Sequence, residues 1–508
     1  MLSRVLTAST LGVDALLVEV EVDISRGLPS FSTVGLPDNA VKESKDRVRA
    51  AIKNSGYSLP AKKITVNLAP ADIKKEGTTF DLPVAVGILK AEGMIKAESL
   101  EEYLILGELS LDGCIKPARG SLSVAVLARQ RGKKLILPVE NSGEAAIVEG
   151  VEVYGVGSLA GLVEFLNGSA SIEPARVDSA AFFGARPPDN IDISDVKGQE
   201  HVKRALEVAA AGGHNVLLIG PPGSGKTMLA KRVPTILPDM TLEESIETTK
   251  VHSIAGMLEP GHPLVTGRPF RSPHHTISDA GLIGGGRVPR PGEVSLSHNG
   301  VLFLDEMPEF KKNVLEVLRQ PLEDGKVTIS RAAVSLTYPS EFMLIGAMNP
   351  CPCGYLGDMH KECVCTPLQI QQYRSRISGP LLDRIDIHCE VPAVRFRDLS
   401  GLKPGEPSSE IKKRVDRARG VQASRFGSVG IFSNSRLPSR LIRKYCEAKG
   451  DALKLLETAV ERLGLSARAY TRVLKVSRTI ADLDGSEGIL SHHVSEAIQY
   501  RSLDRQLV

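Results

Sequence analysis

A glycine-rich stretch with the pattern G-x-x-x-x-G-K-S/T is the strongest candidate for chemistry in this sequence. Its residues are Gly220, Pro221, Pro222, Gly223, Ser224, Gly225, Lys226 and Thr227. An apolar run, Asn215–Ile219, precedes it and a helix-compatible segment follows, which is the strand–loop–helix order that this pattern requires. In such a loop backbone amides surround phosphate groups, the lysine contacts the β- and γ-phosphates, and the hydroxyl ligates Mg²⁺. The pattern therefore predicts a site for a nucleoside triphosphate with Mg²⁺.

Two further apolar runs end in polar residues and predict hydrolysis at this site. Val301–Asp305 is followed by Glu306, and Met343–Met348 is followed by Asn349. An acidic pair at the end of a core strand suits an aspartate that holds Mg²⁺ and a glutamate that orients and deprotonates the attacking water. Asn349 is expected to contact the γ-phosphate or that water. The order of these runs behind the glycine-rich loop favours a nucleotide hydrolase.

Four cysteines within fifteen residues form a candidate metal site. They are Cys351, Cys353, Cys363 and Cys365. Two C-x-C pairs can bind Zn²⁺ tetrahedrally, with Gly354 and Gly357 allowing the chain to turn back and His360 as a substitute ligand. Reduced free thiols or a redox pair are the alternatives. The other cysteines (Cys114, Cys389, Cys446) are isolated and are expected to be packing residues.

Composition predicts a soluble globular chain of several domains. Of its 508 residues, 42% are hydrophobic and 24% charged, enough apolar material for two or more cores. No apolar run reaches the roughly 18–20 residues of a membrane span, and Asp14 and Glu19 interrupt the N-terminus, so we expect a cytoplasmic protein without a signal peptide. The net charge is +3, but residues 401–508 hold 20 basic against 12 acidic residues. This basic quarter is compatible with nucleic acid or with solvated helical faces.

Residue patterning predicts three domains and one linker. Residues 1–167 have the pattern of an α+β domain, because Val18–Ile24 and Ile64–Leu68 alternate as half-buried strands do and Asp38–Ser55 is helix-like. The remaining boundaries are a linker at 168–190, a strand–loop–helix ATPase domain at 191–398 with a cysteine insertion at 351–365, and a helical domain at 399–508.

The motifs resemble those of a known family. The glycine-rich loop and the acidic pair are similar to those of the ATPase subunit of magnesium chelatase. More specifically, Arg268–Ser278 (RPFRSPHHTIS), Leu282–Gly286 (LIGGG) and Pro289–Gly300 (PRPGEVSLSHNG) resemble the YifB/ComM family of magnesium-chelatase-like proteins. This resemblance implies an α/β fold: a P-loop AAA+ core with a parallel sheet and a helical lid, preceded by an α+β Lon-protease-like domain. It implies ATP and Mg²⁺ as cofactors.

The resemblance also assigns roles to three residues outside the loop. Arg384 matches the arginine finger, which acts on the nucleotide of a neighbouring subunit. Arg468 matches the sensor of the lid. Gln199 ends the segment Asp192–Gln199 (DISDVKGQ), which is similar to the family's motif on the adenine side of the nucleotide.

The N-terminal domain departs from the proteolytic pattern of its Lon-like relatives. Thr79 stands where the nucleophilic serine would be, and Leu122 stands where the lysine belongs. Because a threonine without a nearby amine lacks a base, we expect a non-proteolytic module that binds DNA or assembles a ring.

The family implies a homohexameric ring that moves along DNA and promotes branch migration in recombination and natural transformation, with recombination proteins as candidate partners. Two insertions are expected to line the pore: residues 267–298, which carry Arg271, Arg287 and Arg290, and the hairpin Lys326–Thr337 with Arg331 near its tip. Their cations would contact phosphates without reading sequence. The alternative is that both insertions only pack subunits together.

Two other functions are compatible with the sequence. One is a chelatase-type or MoxR-type ATPase that remodels a protein partner or assists metal insertion. The other is an ATP-gated scaffold that does not hydrolyse ATP. Glu306 and Arg384 argue against the scaffold, because a switch that never turns over needs neither residue.

Overall fold

The computed structural model describes residues 1–59, 61–71, 75, 77–97, 100–177, 191–258, 264–286, 289–330, 335–358, 361–393, 405–427 and 431–501. These residues form two compact units. One consists of Met1–Arg186 with Leu242–Thr266, and the other of Pro187–Thr241 with Gly267–Val508. Among the helices in this part of the chain, none combines the length and the apolar character needed to cross a bilayer.

The strands are β1 (Leu2–Leu11), β2 (Asp14–Ser25), β3 (Ser30–Val34), β4 (Lys63–Ala69), β5 (Tyr103–Ile105), β6 (Glu108–Leu109), β7 (Ile115–Lys116), β8 (Lys134–Pro138), β9 (Val153–Val156), β10 (Val216–Ile219), β11 (Phe270–Arg271), β12 (Gly284–Gly285), β13 (Arg290–Pro291), β14 (Val301–Leu304), β15 (Lys326–Ser330), β16 (Ser335–Pro339), β17 (Met343–Met348) and β18 (Ile387–Glu390).

The α-helices are α1 (Asn39–Asn54), α2 (Asp81–Ala91), α3 (Ser121–Arg131), α4 (Ser142–Ala145), α5 (Leu159–Leu166), α6 (Glu200–Gly212), α7 (Lys226–Arg232), α8 (Leu242–Ala255), α9 (Asp279–Ile283), α10 (Glu293–Leu296), α11 (Lys312–Glu316), α12 (Arg319–Asp324), α13 (Pro367–Arg374), α14 (Gly379–Leu382), α15 (Ser408–Phe426), α16 (Ser439–Tyr445), α17 (Asp451–Leu463), α18 (Ala467–Leu483) and α19 (Ser491–Gln499).

The N-terminal unit is built on a seven-stranded mixed sheet of order β3-β4-β2-β1-β5-β8-β9. The pairs β1–β2 and β2–β4 are antiparallel, and the outer pairs are parallel. In β2 the side chains of Val18, Val20 and Val22 are buried while the residues between them are partly exposed, as expected for a strand with one face on a core. The predicted strands at Val18–Ile24 and Ile64–Leu68 lie inside β2 and β4.

Helix α8 belongs to the N-terminal unit although it follows the glycine-rich loop in sequence. Its Ile246 shares a hydrophobic cluster with Leu122 of α3 and with Leu264. Lys250 of α8 lies 3.5 Å from the carboxylate of Asp14. The sequence placed these residues in the ATPase domain at 191–398, because the spacing of apolar residues along a helix does not reveal which core that helix joins.

The second unit is built on a five-stranded sheet in which all paired strands are parallel, with the order β11-β14-β17-β10-β18. Strands β10, β14 and β17 are buried along their whole length, which agrees with their continuous apolar sequences. Because they are parallel neighbours, the segments that follow them emerge at one edge of the sheet. This confirms the predicted α/β class with a parallel sheet and a C-terminal helical region.

The C-terminal helices share a hydrophobic core with the sheet. Val473 and Ile480 of α18 belong to the same buried cluster as Ala211 of α6 and Leu218 of β10. The predicted boundary at 398/399 therefore does not separate two cores. The segment 394–404 around it, like most of the predicted linker at 168–190, lies outside the described residues.

A buried carboxylate joins the lid helix α18 to the start of β10. Asp386 accepts a hydrogen bond from the backbone N–H of Asn215 (3.0 Å), pairs with Arg472 of α18, and lies 3.5 Å from Nδ1 of His214. Burial alone would raise the pKa of Asp386, but the charge of Arg472 and the contact with His214 hold that pKa below its ordinary value.

Replacing Asp386 by asparagine should destabilise this unit and make its stability depend less on pH in the acid range. Loss of the buried charge leaves Arg472 unpaired, at a cost of about 3 kcal/mol. Since the folded-state pKa of Asp386 is depressed, its stabilisation is complete above the unfolded value of about 3.9 and is lost as the pH falls below it. Thermal melts from about pH 5 to about pH 3 should therefore show a steeper decline for wild type than for D386N. Asp383→Asn on the adjoining turn is the control, and identical slopes in all three proteins would contradict this account.

Candidate functional site

The glycine-rich loop (the P-loop, residues 220–227) connects β10 to α7 and turns at two glycines in the left-handed region. Their φ angles are 77° at Gly223 and 88° at Gly225, where an added Cβ would meet no atom within 4 Å. At Gly220 an added Cβ would lie 2.1 Å from the carbonyl oxygen of Val391, so only glycine fits. The loop thus combines turns that favour glycine with open space beside its backbone, which is what a phosphate group needs.

The side chain of Lys226 folds back into this loop. Its ammonium group donates to the carbonyl oxygens of Gly220 (2.7 Å) and Pro221 (2.8 Å) and lies 3.3 Å from Oδ1 of Asn349. Burial lowers the pKa of Lys226, an effect that the nearby carboxylate of Asp305 opposes. The ammonium group is held where a triphosphate on the loop would supply stronger, charged acceptors.

Thr227 and Asp305 provide a pair of oxygen atoms suited to Mg²⁺. The hydroxyl of Thr227, at the start of α7, donates to Oδ2 of Asp305, at the end of β14, over 2.6 Å. Mg²⁺ prefers hard oxygen ligands and is held in such sites by one or two protein groups together with phosphate oxygens. These two side chains therefore fit the ion that the sequence predicts.

Glu306 follows Asp305 in a left-handed conformation with φ of 50°, which is uncommon for a residue other than glycine. Its side chain is 59% exposed, and its Oε2 lies 3.6 Å from Nδ1 of His275. The rings of His274 and His275 are 4.1 Å apart. The sequence placed these histidines in a basic insertion for DNA, whereas the structure brings His275 to the carboxylate predicted to activate water.

Gln199 lies at the N-terminus of α6 with φ of 57°. Its Nε2 donates to the carbonyl oxygens of Ser224 (2.9 Å) and Pro392 (3.1 Å) and so joins the P-loop to the segment after β18. Its Oε1 is buried and has no hydrogen-bond partner among the described residues. An orphaned buried acceptor beside the P-loop fits a ligand that carries an amino group, such as adenine.

The two predicted arginines come together on one carboxylate. Arg384 is 5% exposed, donates to the carbonyl oxygen of Pro380 (2.5 Å) and pairs with Glu323 of α12. Arg468, at the start of α18, is 58% exposed and lies 3.8 Å from the same carboxylate. The hydrogen bond from Arg384 and the charges of both arginines lower the pKa of Glu323. Nothing in the sequence signalled Glu323.

Neither arginine reaches the P-loop of its own chain. Within the described residues, Arg384 and Arg468 make no hydrogen bond or ion pair with residues 220–227, Asp305 or Asn349. The structure thus separates the predicted site into one group around Lys226 and a second group around Glu323.

Of the four arginines predicted to contact DNA, two lie within the described residues. Arg271 forms a bidentate ion pair with Glu293 (2.6 and 2.7 Å), whose hydrogen bonds raise the pKa of Arg271. Arg290 is exposed on β13. The predicted hairpin is present as the antiparallel pair β15–β16. Arg287 and Arg331 lie outside the described residues.

The four clustered cysteines converge just after β17. Their Sγ atoms all lie within 4.8 Å of one another, with 3.4 Å between Cys351 and Cys353 and 3.6 Å from Cys363 to each of these two. Tetrahedral Zn²⁺ with Zn–S bonds of about 2.3 Å places sulfurs roughly 3.8 Å apart, so this spacing fits such an ion. The alternative ligand His360 lies outside the described residues.

Comparison with known proteins agrees with the fold. Three family models match: magnesium chelatase subunit ChlI over residues 192–399, subunit ChlI of Mg-chelatase over residues 20–141, and the C-terminal part of that subunit over residues 405–501. YifB of Escherichia coli is 45% identical and the competence protein ComM of Haemophilus influenzae is 44% identical; each alignment covers 100% of this chain and 98% of the relative. The magnesium-chelatase 38 kDa subunit of Rhodobacter capsulatus is 23% identical, with 63% of this chain and 89% of that protein covered.

The chain therefore belongs to the YifB/ComM family of magnesium-chelatase-like AAA+ ATPases. Family membership indicates ATP and Mg²⁺ at the P-loop. When bound, Mg²⁺ neutralises charge on the β- and γ-phosphates. Lys226 would hold those phosphates, Thr227 and Asp305 would hold the metal ion, and Glu306 would accept a proton from the attacking water.

Substitutions at Lys226 and Glu306 should separate binding from hydrolysis. Lys226→Ala removes the buried cation of the loop and should abolish nucleotide binding. Glu306→Gln should still bind ATP but hydrolyse it at least about a hundredfold more slowly, because the amide cannot accept a proton. Phosphate release and titration with a fluorescent ATP analogue measure the two steps.

The controls are Lys231→Ala, an exposed lysine on the same helix, and Glu309→Gln, an exposed carboxylate three residues after Glu306. Both should behave like wild type. Wild-type hydrolysis by Glu306→Gln would show that another group activates the water.

Proposed function

We propose that this protein is an ATP-driven motor that works on DNA as a homohexamer and promotes branch migration of recombination junctions. The observation that carries this proposal is the division of the site: Lys226, Asp305 and Asn349 form one group, while Arg384 and Arg468 share Glu323 and do not reach it. Phosphoryl transfer needs cations at the developing charge, and an arginine from a neighbouring copy supplies them in many such enzymes. A ring of identical subunits would bring each pair of arginines to the next P-loop.

DNA as the substrate is supported by the relatives and by charge. A relative 44% identical over the full chain is named a competence protein. The last quarter of the chain is basic, and Arg290 is exposed on an insertion next to β14. Arg271 is not part of this proposed contact with phosphate, because its ion pair with Glu293 neutralises its charge. Cations in a pore would hold DNA through its phosphates and without sequence preference.

A protein-remodelling ATPase of the chelatase or MoxR type is the second candidate. It is supported by the magnesium chelatase family models and by the relative named as a magnesium-chelatase 38 kDa subunit. The two candidates differ in what stimulates hydrolysis: branched DNA in the first, a protein client in the second.

Migration of a mobile four-way junction should require ATP and the arginine of the neighbouring subunit. Arg384→Ala should bind nucleotide normally yet lose about a thousandfold in hydrolysis and lose junction migration, because the finger acts only on the adjoining site. Arg440→Ala, an exposed arginine on α16, is the control and should keep both activities.

Mixing two inactive variants tests directly whether Arg384 acts on the nucleotide of the neighbouring subunit. Inactive Arg384→Ala and inactive Lys226→Ala subunits should regain hydrolysis when combined, since an intact P-loop then meets an intact finger. Full activity of a monomer, or stimulation by a protein client with no response to junction DNA, would reject the motor.

We also propose that the four clustered cysteines bind one structural Zn²⁺. The sulfur spacing supports it, and four protein ligands leave no open position for catalysis. Elemental analysis should find about one zinc ion per chain in wild type and none when all four cysteines are serine. Cys114→Ser, an exposed cysteine elsewhere, should retain the metal. Carefully purified wild type without zinc would end this proposal.

A further inference from the structure

We infer that the cysteine loop (residues 351–365) is a brace for the P-loop, so that its metal sets the affinity of the protein for nucleotide. This inference rests on the proposed Zn²⁺ site and goes beyond it, because it gives the ion an effect on a different ligand. It is carried by the contact between the two loops and by the cavity that both of them line.

The contact lies between Gly354 and Pro222. Gly354 has φ of 85°, and an added Cβ would lie 2.6 Å from Cδ and 2.8 Å from Cγ of Pro222. Real Cβ atoms do not approach other atoms so closely, so only glycine lets the cysteine loop rest directly on the P-loop. Position 354 is therefore restricted twice, by its backbone conformation and by this neighbour.

The cysteine loop also begins close to a residue that contacts the P-loop lysine. Asn349, whose Oδ1 lies 3.3 Å from the ammonium group of Lys226, is followed by Pro350 and by the fully buried Cys351. The carbonyl oxygen of Pro350 accepts a hydrogen bond from Nε of Arg374 over 3.2 Å. The first metal ligand is thus two residues from a side chain that contacts the P-loop lysine.

The rest of this loop is short and irregular. Its described residues contain neither helix nor strand, and their local hydrogen bonds are short-range, such as Gly354 N–H to Cys351 O (3.0 Å) and Lys361 N–H to Asp358 Oδ1 (3.0 Å). A segment this short cannot bury an apolar core of its own, and metal binding commonly supplies the missing free energy.

A cavity of about 350 Å³ lies between the two loops. Leu356 and Asp358 of the cysteine loop line it on one side, and Gly220 and Pro221 of the P-loop line it on another. Because the two loops are walls of one cavity, release of the cysteine loop removes a wall from the P-loop. A P-loop held in place before binding pays less ordering entropy when the nucleotide arrives, and this is the route by which zinc raises affinity.

The test is the dissociation constant of a fluorescent, slowly hydrolysed ATP analogue, measured together with zinc content. Gly354→Ala should keep its zinc and bind the analogue roughly tenfold more weakly, because the methyl group pushes the loops apart. Gly357→Ala is the matched control: this residue also lines the cavity and has φ of 79°, but an added Cβ meets nothing within 4 Å, so it does not push the loops apart and should bind like wild type. Wild type stripped of zinc by a chelator should show a loss similar to that of Gly354→Ala, and zinc should restore binding.

The outcomes separate the two proposals. Zinc present in wild type, with unchanged affinity in both Gly354→Ala and the stripped protein, overturns the brace and leaves the zinc site standing. An equal loss in both glycine variants attributes the effect to backbone strain and also overturns it. If Gly354→Ala fails to fold, as circular dichroism would show, the stripping and restoration of wild type decide alone. Absence of zinc from wild type removes both proposals.

Discussion

A buried ammonium group is the constraint around which the ATPase unit is organised. Lys226 is taken out of water at the start of α7, and a buried charge must be met by oxygen atoms or by opposite charge. The carbonyl oxygens of the loop and the amide oxygen of Asn349 meet it from two neighbouring strand ends. That arrangement requires β10 and β17 to be parallel neighbours, as they are in the sheet, and their apolar sequences suit the burial of both strands. The same sheet order sets Asp305 beside Thr227.

The second group of charges consists of two arginines that share one carboxylate. The buried Arg384 and the exposed Arg468 carry two positive charges, and the carboxylate of Glu323 on α12 neutralises part of that charge. Glu323 keeps the two guanidinium groups near each other without a phosphate. In the proposed ring, a phosphate bound to the neighbouring subunit would compete with this carboxylate and offer more acceptor oxygens. Assembly and hydrolysis would thus be linked by an exchange of partners for the same arginines.

Local patterns in the sequence predicted the strands of the ATPase sheet well. Contacts between residues that are distant in the sequence could not be predicted in this way. Strand β17 has the predicted bounds, because a continuous apolar run is a property of a short segment. The P-loop was recognisable because its chemistry needs consecutive residues. Glu323 beside Arg384, His275 beside Glu306 and the neutralisation of Arg271 by Glu293 could not be predicted, since each depends on side chains that meet only after the chain has folded. The assignment of α8 to the N-terminal core has the same origin.

Because helix α8 belongs to the N-terminal unit, the chain passes between the two units more than once. The chain crosses between the two units at 186/187, at 241/242 and again at 266/267, so three covalent connections join them instead of one. The segment Leu242–Thr266 starts ten residues after the end of α7, the helix that carries Thr227. Its Ile246 packs in the N-terminal core. A protease cut within 178–190 would leave the halves tethered. The N-terminal unit is therefore continuous in sequence with the P-loop helix as well as with the predicted linker.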